Sequence, residues 1–267
     1  MITHKDIARH LLRLCTLAAL SWLIASCATH EGVRTGQHTL SSDSINSIVN
    51  SRPGLGTGWG KEVESKTGYT SFVRASSKPH GGTDMIYYNN KEGVEAMIDG
   101  GWKRKVDRLQ LAAGGLVEWG VKSSAWGSNT YRANNRRYVI GEQGEPYTIV
   151  VKNVCEARVE VVLSVDGLDV MDGKPASTRK RGYILDPKET LELKGWRTSQ
   201  SSVASFKFAS VGGSYSNLTK QGTRNVGVIG LGAYFEKGSA PFRWSQPEVD
   251  RRHSASPFAQ APVKRAR

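Results

Sequence analysis

Cysteine is scarce in this chain of 267 residues: there are three, at positions 15, 27 and 155, and no two form a C-x-x-C pair. That excludes a disulfide framework and argues against a cysteine-held structural zinc. Histidine is scarce as well. After position 26 only His30, His38, His80 and His253 remain, with no H-x-x-x-H spacing, so no metal-ligand cluster is expected. No apolar run reaches the roughly 18–20 residues that a membrane-spanning helix needs, which excludes a polytopic membrane protein. Acidic residues are in deficit, 24 against 37 Lys and Arg, for a net charge of +13. Such an imbalance speaks of partners rather than of fold. Hydrophobic residues make up 38% of the chain, enough for a sizeable core, and the length fits one large or two small domains.

The N-terminus has the organisation of an export signal. Lys5, Arg9 and Arg13 stand against a single Asp6, and Leu14–Ser26 then runs for 13 residues without a charge. That length suits the apolar region of a signal peptide and is too short for an ordinary transmembrane helix. Ile24-Ala25-Ser26-Cys27 follows, an aliphatic residue and two small ones before a cysteine. This resembles the lipobox of bacterial lipoproteins. The resemblance implies removal of residues 1–26 by cleavage between Ser26 and Cys27, a diacylglyceryl thioether on Cys27, and an acylated new amine. Acyl chains such as palmitate contribute about 0.8 kcal/mol per buried CH₂, so two or three of them anchor a soluble domain to a lipid bilayer. The implied location is the bacterial cell envelope. Ala28 and Thr29, where inner-membrane retention signals carry acid, favour the outer membrane over the inner, with the domain facing the periplasm or exterior. Two other readings are an ordinary secretory signal with an incidental cysteine and an uncleaved N-terminal anchor. Removing residues 1–26 takes three of the 37 basic and one of the 24 acidic residues, leaving 241 residues with a net charge of +11.

From 27 to 65 the chain is polar and rich in Gly, Ser and Asn, including Arg52-Pro-Gly-Leu-Gly-Thr-Gly-Trp-Gly60. It reads as a flexible tether with one short helical turn at Ser44–Asn50. Residues 66–136 read as a mixed α/β segment. Tyr69–Val73 and Met85–Tyr88 look like strands, while Gly93–Asp99 and Lys103–Ala113 have helix-like apolar spacing, interrupted by Gly100-Gly101 and Gly114-Gly115. A second reading makes Leu116–Lys122 a strand, and both stand open. Residues 137–240 read as all β. The expected strands are Tyr138–Ile140, Tyr147–Asn153, Arg158–Val165, Leu168–Met171, Gly182–Leu185, Thr190–Leu193, Val203–Ala209 and Val226–Phe235, with tight turns at Asp166-Gly167 and Asp172-Gly173. Strands at such regular intervals predict an antiparallel β-sandwich, so the fold class is mainly β. Residues 241–267, with four prolines and six Lys or Arg, read as a disordered basic tail.

Motifs that would carry catalysis fall short of their requirements. Pro79-His80-Gly81-Gly82 has the look of an esterase oxyanion loop but lacks a G-x-S-x-G partner. Cys155 follows a strand with no histidine near it in sequence, as a small core residue would. Asp166, Asp169 and Asp172 recur every third residue, whereas a calcium loop needs alternate acids and a terminal Glu; turn aspartates explain them. Gly54–Lys61 ends in Gly-Lys but has Leu55 and Glu62 where a phosphate loop needs Gly and Ser or Thr, and Gly227–Gly232 reverses the dinucleotide fingerprint. No catalytic residue, cofactor or metal is therefore assigned, and the expectation is not an enzyme.

One surface carries functional content. Lys103, Arg104, Lys105, Arg108, Arg132, Arg136 and Arg137, with Lys122 nearby, are interleaved with Trp102, Trp119, Trp126 and Tyr131. Cations among aromatics suit single-stranded nucleic acid in the cytoplasm. Behind an export signal the expected partners are instead anionic envelope polymers, phosphorylated headgroups or an acidic protein, and no nucleic acid. The favoured function is a membrane-anchored, non-enzymatic β-sandwich that binds a protein or an anionic envelope glycan. The alternative is an envelope hydrolase acting on polysaccharide or peptidoglycan, with carboxylates gathered by the fold. Beyond residue 27, Arg52–Gly60, Tyr87-Tyr88-Asn89 and the run from Val165–Val170 through Arg181-Gly-Tyr183 to Gly195-Trp196 resemble secreted bacterial proteins of uncharacterised activity.

Overall fold

The computed structural model describes residues 52–100, 103–124, 129–244 and 246–258. The signal segment, the Ser26–Cys27 cleavage point, the lipid-bearing Cys27 and the helical turn expected at Ser44–Asn50 lie outside them, as does the tether up to residue 51. Among the described residues no helix is long and apolar enough to cross a membrane.

The architecture is mainly β. In chain order the strands and helices are β1 (Leu55–Glu64), β2 (Thr83–Asn89), α1 (Lys91–Ile98), β3 (Arg104–Lys105), β4 (Gln110–Ala112), β5 (Val117–Lys122), β6 (Thr130–Ala133), β7 (Arg136–Ile140), β8 (Thr148–Asn153), β9 (Val159–Val165), β10 (Leu168–Asp169), β11 (Tyr183–Leu185), β12 (Thr190–Leu193), β13 (Gly195–Arg197), β14 (Ser202–Ser210), α2 (Tyr215–Leu218), β15 (Val228–Phe235) and α3 (Gln246–His253). The largest sheet runs β10-β9-β15-β2-β7-β6-β3, with β11 also on β9. All its pairs are antiparallel except β2–β7. A four-stranded antiparallel sheet runs β12-β8-β5-β4 and a three-stranded one β1-β14-β13. The two smaller sheets are joined where the chain leading into β8 runs beside β14: Tyr147 N–H donates to Phe206 O at 3.1 Å and Phe208 N–H to Glu145 O at 3.0 Å.

One hydrophobic core fills the space between these layers. Ile86, Val139, Val161, Leu163, Ile229 and Leu231 come from the large sheet; Val117, Trp119, Ile149, Val151, Phe206 and Phe208 come from the smaller ones. The longer strands supply alternate residues to this core, as a pleated sheet requires. A smaller cluster of Val94, Ile98, Ala133 and Tyr138 seats α1 on the outer face of β6 and β7. The turns follow from local chemistry. Asp166 and Gly167, at φ of 54° and 81°, close β9 onto β10 with Val165 opposite Leu168, and Asn134 and Asn135, at 48° and 57°, close β6 onto β7. Positive φ at both central residues is the two-residue hairpin geometry that Asp, Asn and Gly tolerate.

The structure corrects several expectations. The stretch 27–65 is not tether to its end, because residues 55–64 form β1, a ten-residue strand paired with β14. Its glycines alternate with Leu55, Thr57 and Trp59, and they sit where β14 crowds the backbone: a Cβ at Gly60 would stand 2.3 Å from Ser205 Oγ, and one at Gly58 2.9 Å from Ala209 Cβ. Residues 66–136 are not a separate segment, since β2 lies between β15 and β7 in the large sheet and β5 beside β8. Within that stretch Lys103–Ala113 forms β3 and β4 rather than a helix, Tyr69–Val73 is not a strand, and the strand reading of Leu116–Lys122 holds as β5. Within the stretch read as a C-terminal tail, Gln246–His253 form the short helix α3 and Pro241 O accepts from Glu156 N–H at 2.9 Å, while residues 259–267 lie outside the described residues.

Candidate functional site

The cations singled out from sequence converge on the β3–β6–β7 end of the large sheet. Register places Arg104 opposite Arg132 and Arg132 opposite Arg137, so these three form one row across the sheet. Lys105, Tyr131, Tyr138 and Tyr87 form the neighbouring row, and strand alternation puts it on the opposite face. Arg104, Lys105, Arg132 and Arg136 are exposed. Arg136 lies over the Tyr87 ring at 5.6 Å, and Lys103 over Tyr131 at 5.3 Å with Glu95 Oε1 3.4 Å from its Nζ. The side chain of Arg108, between β3 and β4, is exposed while its carbonyl lies against Gly120 of β5.

Arg137 is not part of the exposed surface. Its side chain is 3% exposed, Nη2 donates to Asp84 Oδ2 at 2.5 Å, and Nη1 donates to Trp119 O at 3.2 Å. The guanidinium stacks 4.7 Å from the centre of the Trp119 ring, whose Nε1–H donates to the same Asp84 oxygen at 3.0 Å. Burial, with the like charge of Arg132 adding to it, pushes Arg137 down to about 10 against the pull of Asp84. The Asp84 carboxylate is thus spent on the inner arginine and on Trp119. Arg104 and Arg132 have no ion-pair partner among the described residues. Trp119 is core rather than a stacking platform, and Trp102 and Trp126 lie outside the described residues.

A second polar constellation was not legible in the sequence. Asp166 is buried in the core and accepts from Tyr88 Oη at 2.6 Å, Thr57 N–H at 2.8 Å and Gly227 N–H at 2.9 Å. Thr57 Oγ1 also bonds Tyr88 Oη and Tyr147 Oη, each at 2.7 Å. Burial pushes Asp166 up to about 6, opposed by these donors, and holds both tyrosines well above their usual value. The network is sealed from solvent and ties β1 to β2, to the β9–β10 turn and to the approach of β15. Only the pairing of an Asp-Gly turn with core tyrosines hinted at it.

The remaining candidate residues are structural. Cys155 is buried, its thiol donates to Asn153 Oδ1 at 3.1 Å and to Ala157 O at 3.4 Å, and burial pushes it up, away from the reactive thiolate. His80 packs against Phe235 and Phe242, with ring centres 5.4 and 5.9 Å away. Asp169 and Asp172 accept from the turn N–H groups of Met171 and Lys174, and Asp172 pairs with Lys180 at 2.8 Å. Among the described residues no three His, Cys, Asp or Glu side chains are grouped to hold a metal. Fold and site together define a mainly β protein with a cationic sheet edge. Comparison with family models, with curated proteins and with solved structures finds no match for this chain.

Proposed function

We propose that this protein is a cell-envelope lipoprotein, acylated at Cys27 and held on the outer membrane, whose β-sandwich binds an anionic envelope glycan through the β3–β6 edge without catalysing a reaction. The observation that carries the reading is the cross-strand pair Arg104 and Arg132, exposed and without a counter-ion among the described residues while their neighbour Arg137 is neutralised by Asp84. Like charges directly opposite each other destabilise a sheet pair, so a surface that keeps them suits a partner that supplies the missing negative charge. The lipobox-like Ile24–Cys27 supports the anchor, and it brings such a surface among phosphorylated and acidic envelope polymers.

Two measurements test this. Metabolic labelling with a clickable fatty acid, followed by membrane fractionation, is expected to mark the wild type and to lose both label and membrane retention in Cys27→Ala. An unlabelled wild type refutes the anchor. Adhesion of the solubilised protein to isolated envelope material is expected to fall in Arg104→Glu/Arg132→Glu and to fall with added salt, since screening acts within a Debye length of about 10 Å at 0.1 M. Adhesion that is unchanged by both refutes the binding edge.

A further inference from the structure

We propose that Arg104 and Arg132 form a clamp for a phosphate monoester borne on an envelope glycolipid; this rests on the reading of that edge as an anion-binding surface. The geometry comes from register. The two residues face each other across the antiparallel β3–β6 pair, where Cβ atoms stand about 5 Å apart on one face of the sheet. Both side chains are exposed, and β3 is the last strand of its sheet, so the pair is open from the edge as well as from the face.

Several other cations of the protein are matched by a carboxylate. Lys103 meets Glu95, Lys122 meets Glu192, Lys180 meets Asp172, Lys188 meets Glu156, and Arg158 meets Glu236. Protection of an open edge from pairing with another chain requires a charge, but one suffices and lysine serves. Two arginines placed opposite each other exceed that need. A guanidinium presents a planar fork that satisfies two oxygens of one anion. A carboxylate carries one charge, which one guanidinium cancels, and both of its oxygens are engaged by a single fork. A phosphate monoester has three terminal oxygens and a charge approaching −2, so it accepts from two forks at once and cancels both positive charges. Arg137, in the same row, is held by Asp84 and Trp119, which leaves the two outer arginines to make the contacts.

The test uses the detergent-solubilised full chain on two resins of matched charge density, one bearing phosphate monoesters and one bearing carboxylates. The wild type is expected to prefer the phosphate resin, and inorganic phosphate is expected to elute it where acetate or methyl sulfate at equal ionic strength does not. Arg104→Gln/Arg132→Gln is expected to weaken phosphate binding roughly a hundredfold, the equivalent of losing one charge-assisted hydrogen bond from each arginine. Arg104→Lys/Arg132→Lys should keep overall retention but lose the preference for phosphate over carboxylate. Lys174→Gln/Lys194→Gln, which removes the same charge from other exposed positions, should change neither. Equal retention of the wild type on both resins, or a preference that survives in the glutamine variant, overturns the clamp. Micelles of a diphosphorylated glycolipid should elute the wild type at lower phosphate concentration than inorganic phosphate does. Equal potency overturns the glycolipid as the source. Loss of envelope adhesion in the glutamate variant without any phosphate preference in the wild type would overturn the clamp and leave the adhesive edge standing. A phosphate preference without adhesion would do the reverse.

Discussion

Arg137 and Asp166 are both buried charges, and the protein accommodates them differently. Arg137 is matched by a carboxylate, Asp84, that is itself 32% exposed at the rim of the sandwich. Removing that carboxylate would leave an uncompensated cation beside Trp119. Asp84→Asn is therefore expected to destabilise the fold by about 3 kcal/mol, read from urea unfolding followed by tryptophan fluorescence. Asp166 has no cation, only neutral donors, and its carboxyl sits at about 6 rather than near 4. A carboxyl raised in the folded state binds more protons there than in the unfolded chain between those values. Its contribution to stability is complete below about pH 4 and is lost as pH rises through about 6, a difference on the order of 3 kcal/mol. Asp166→Asn should abolish that slope across pH 4–7 while lowering overall stability, because an amide cannot accept from Thr57, Tyr88 and Gly227 together; a slope that persists would refute the assignment. At this scale the sequence was only half legible. Arg136 and Arg137 are adjacent, and a strand sends adjacent residues to opposite faces. Which of the two turns inward depended on Trp119 and Asp84, brought there by β5 and β2.

Among the elements, β1 was the hardest to recognise. Its glycines look like a tether by composition, yet they alternate with Leu55, Thr57 and Trp59 in the period of two that marks a strand. The distinction is testable. In a tether Gly60→Ala would be harmless, whereas here the new methyl meets Ser205 within 2.5 Å of both its hydroxyl and its carbonyl oxygen. A loss of about 1–3 kcal/mol is expected, measured by thermal or urea unfolding. Lys103–Ala113 failed in the opposite sense. Val106, Leu109 and Leu111 match helical spacing, but Gln110–Ala112 finds partners in β5 and Arg104–Lys105 in β6. Pairing with the next strand, β5, and with β6 farther along the chain outweighed a weak local preference. The hairpins were legible because Asp-Gly and similar dipeptides meet a strict local demand for positive φ.

For the whole molecule, the expected boundaries at 65 and 136 dissolve because the sheets are assembled from both halves of the chain. β1, the first strand described, pairs with β14, and β2 pairs with β15, the last strand. Deleting residues through 65 removes Leu55 from the core and Thr57 from the Asp166 network. The shortened chain is expected to lose cooperative unfolding, where a chain with a mere tether removed would keep it.

Local residue order was sufficient for the Asp166-Gly167 turn and, β13 apart, for the succession of strands from β7 to β15, because turn chemistry and period-two alternation act over a few neighbours. Tertiary structure alone decided that a glycine run becomes a strand, that Arg137 turns inward while Arg104 and Arg132 remain outside in register, and that Asp166 meets Tyr88 across 78 positions of sequence. Those outcomes depend on hydrogen-bond register and burial between strands far apart in the chain, and no local pattern encodes them.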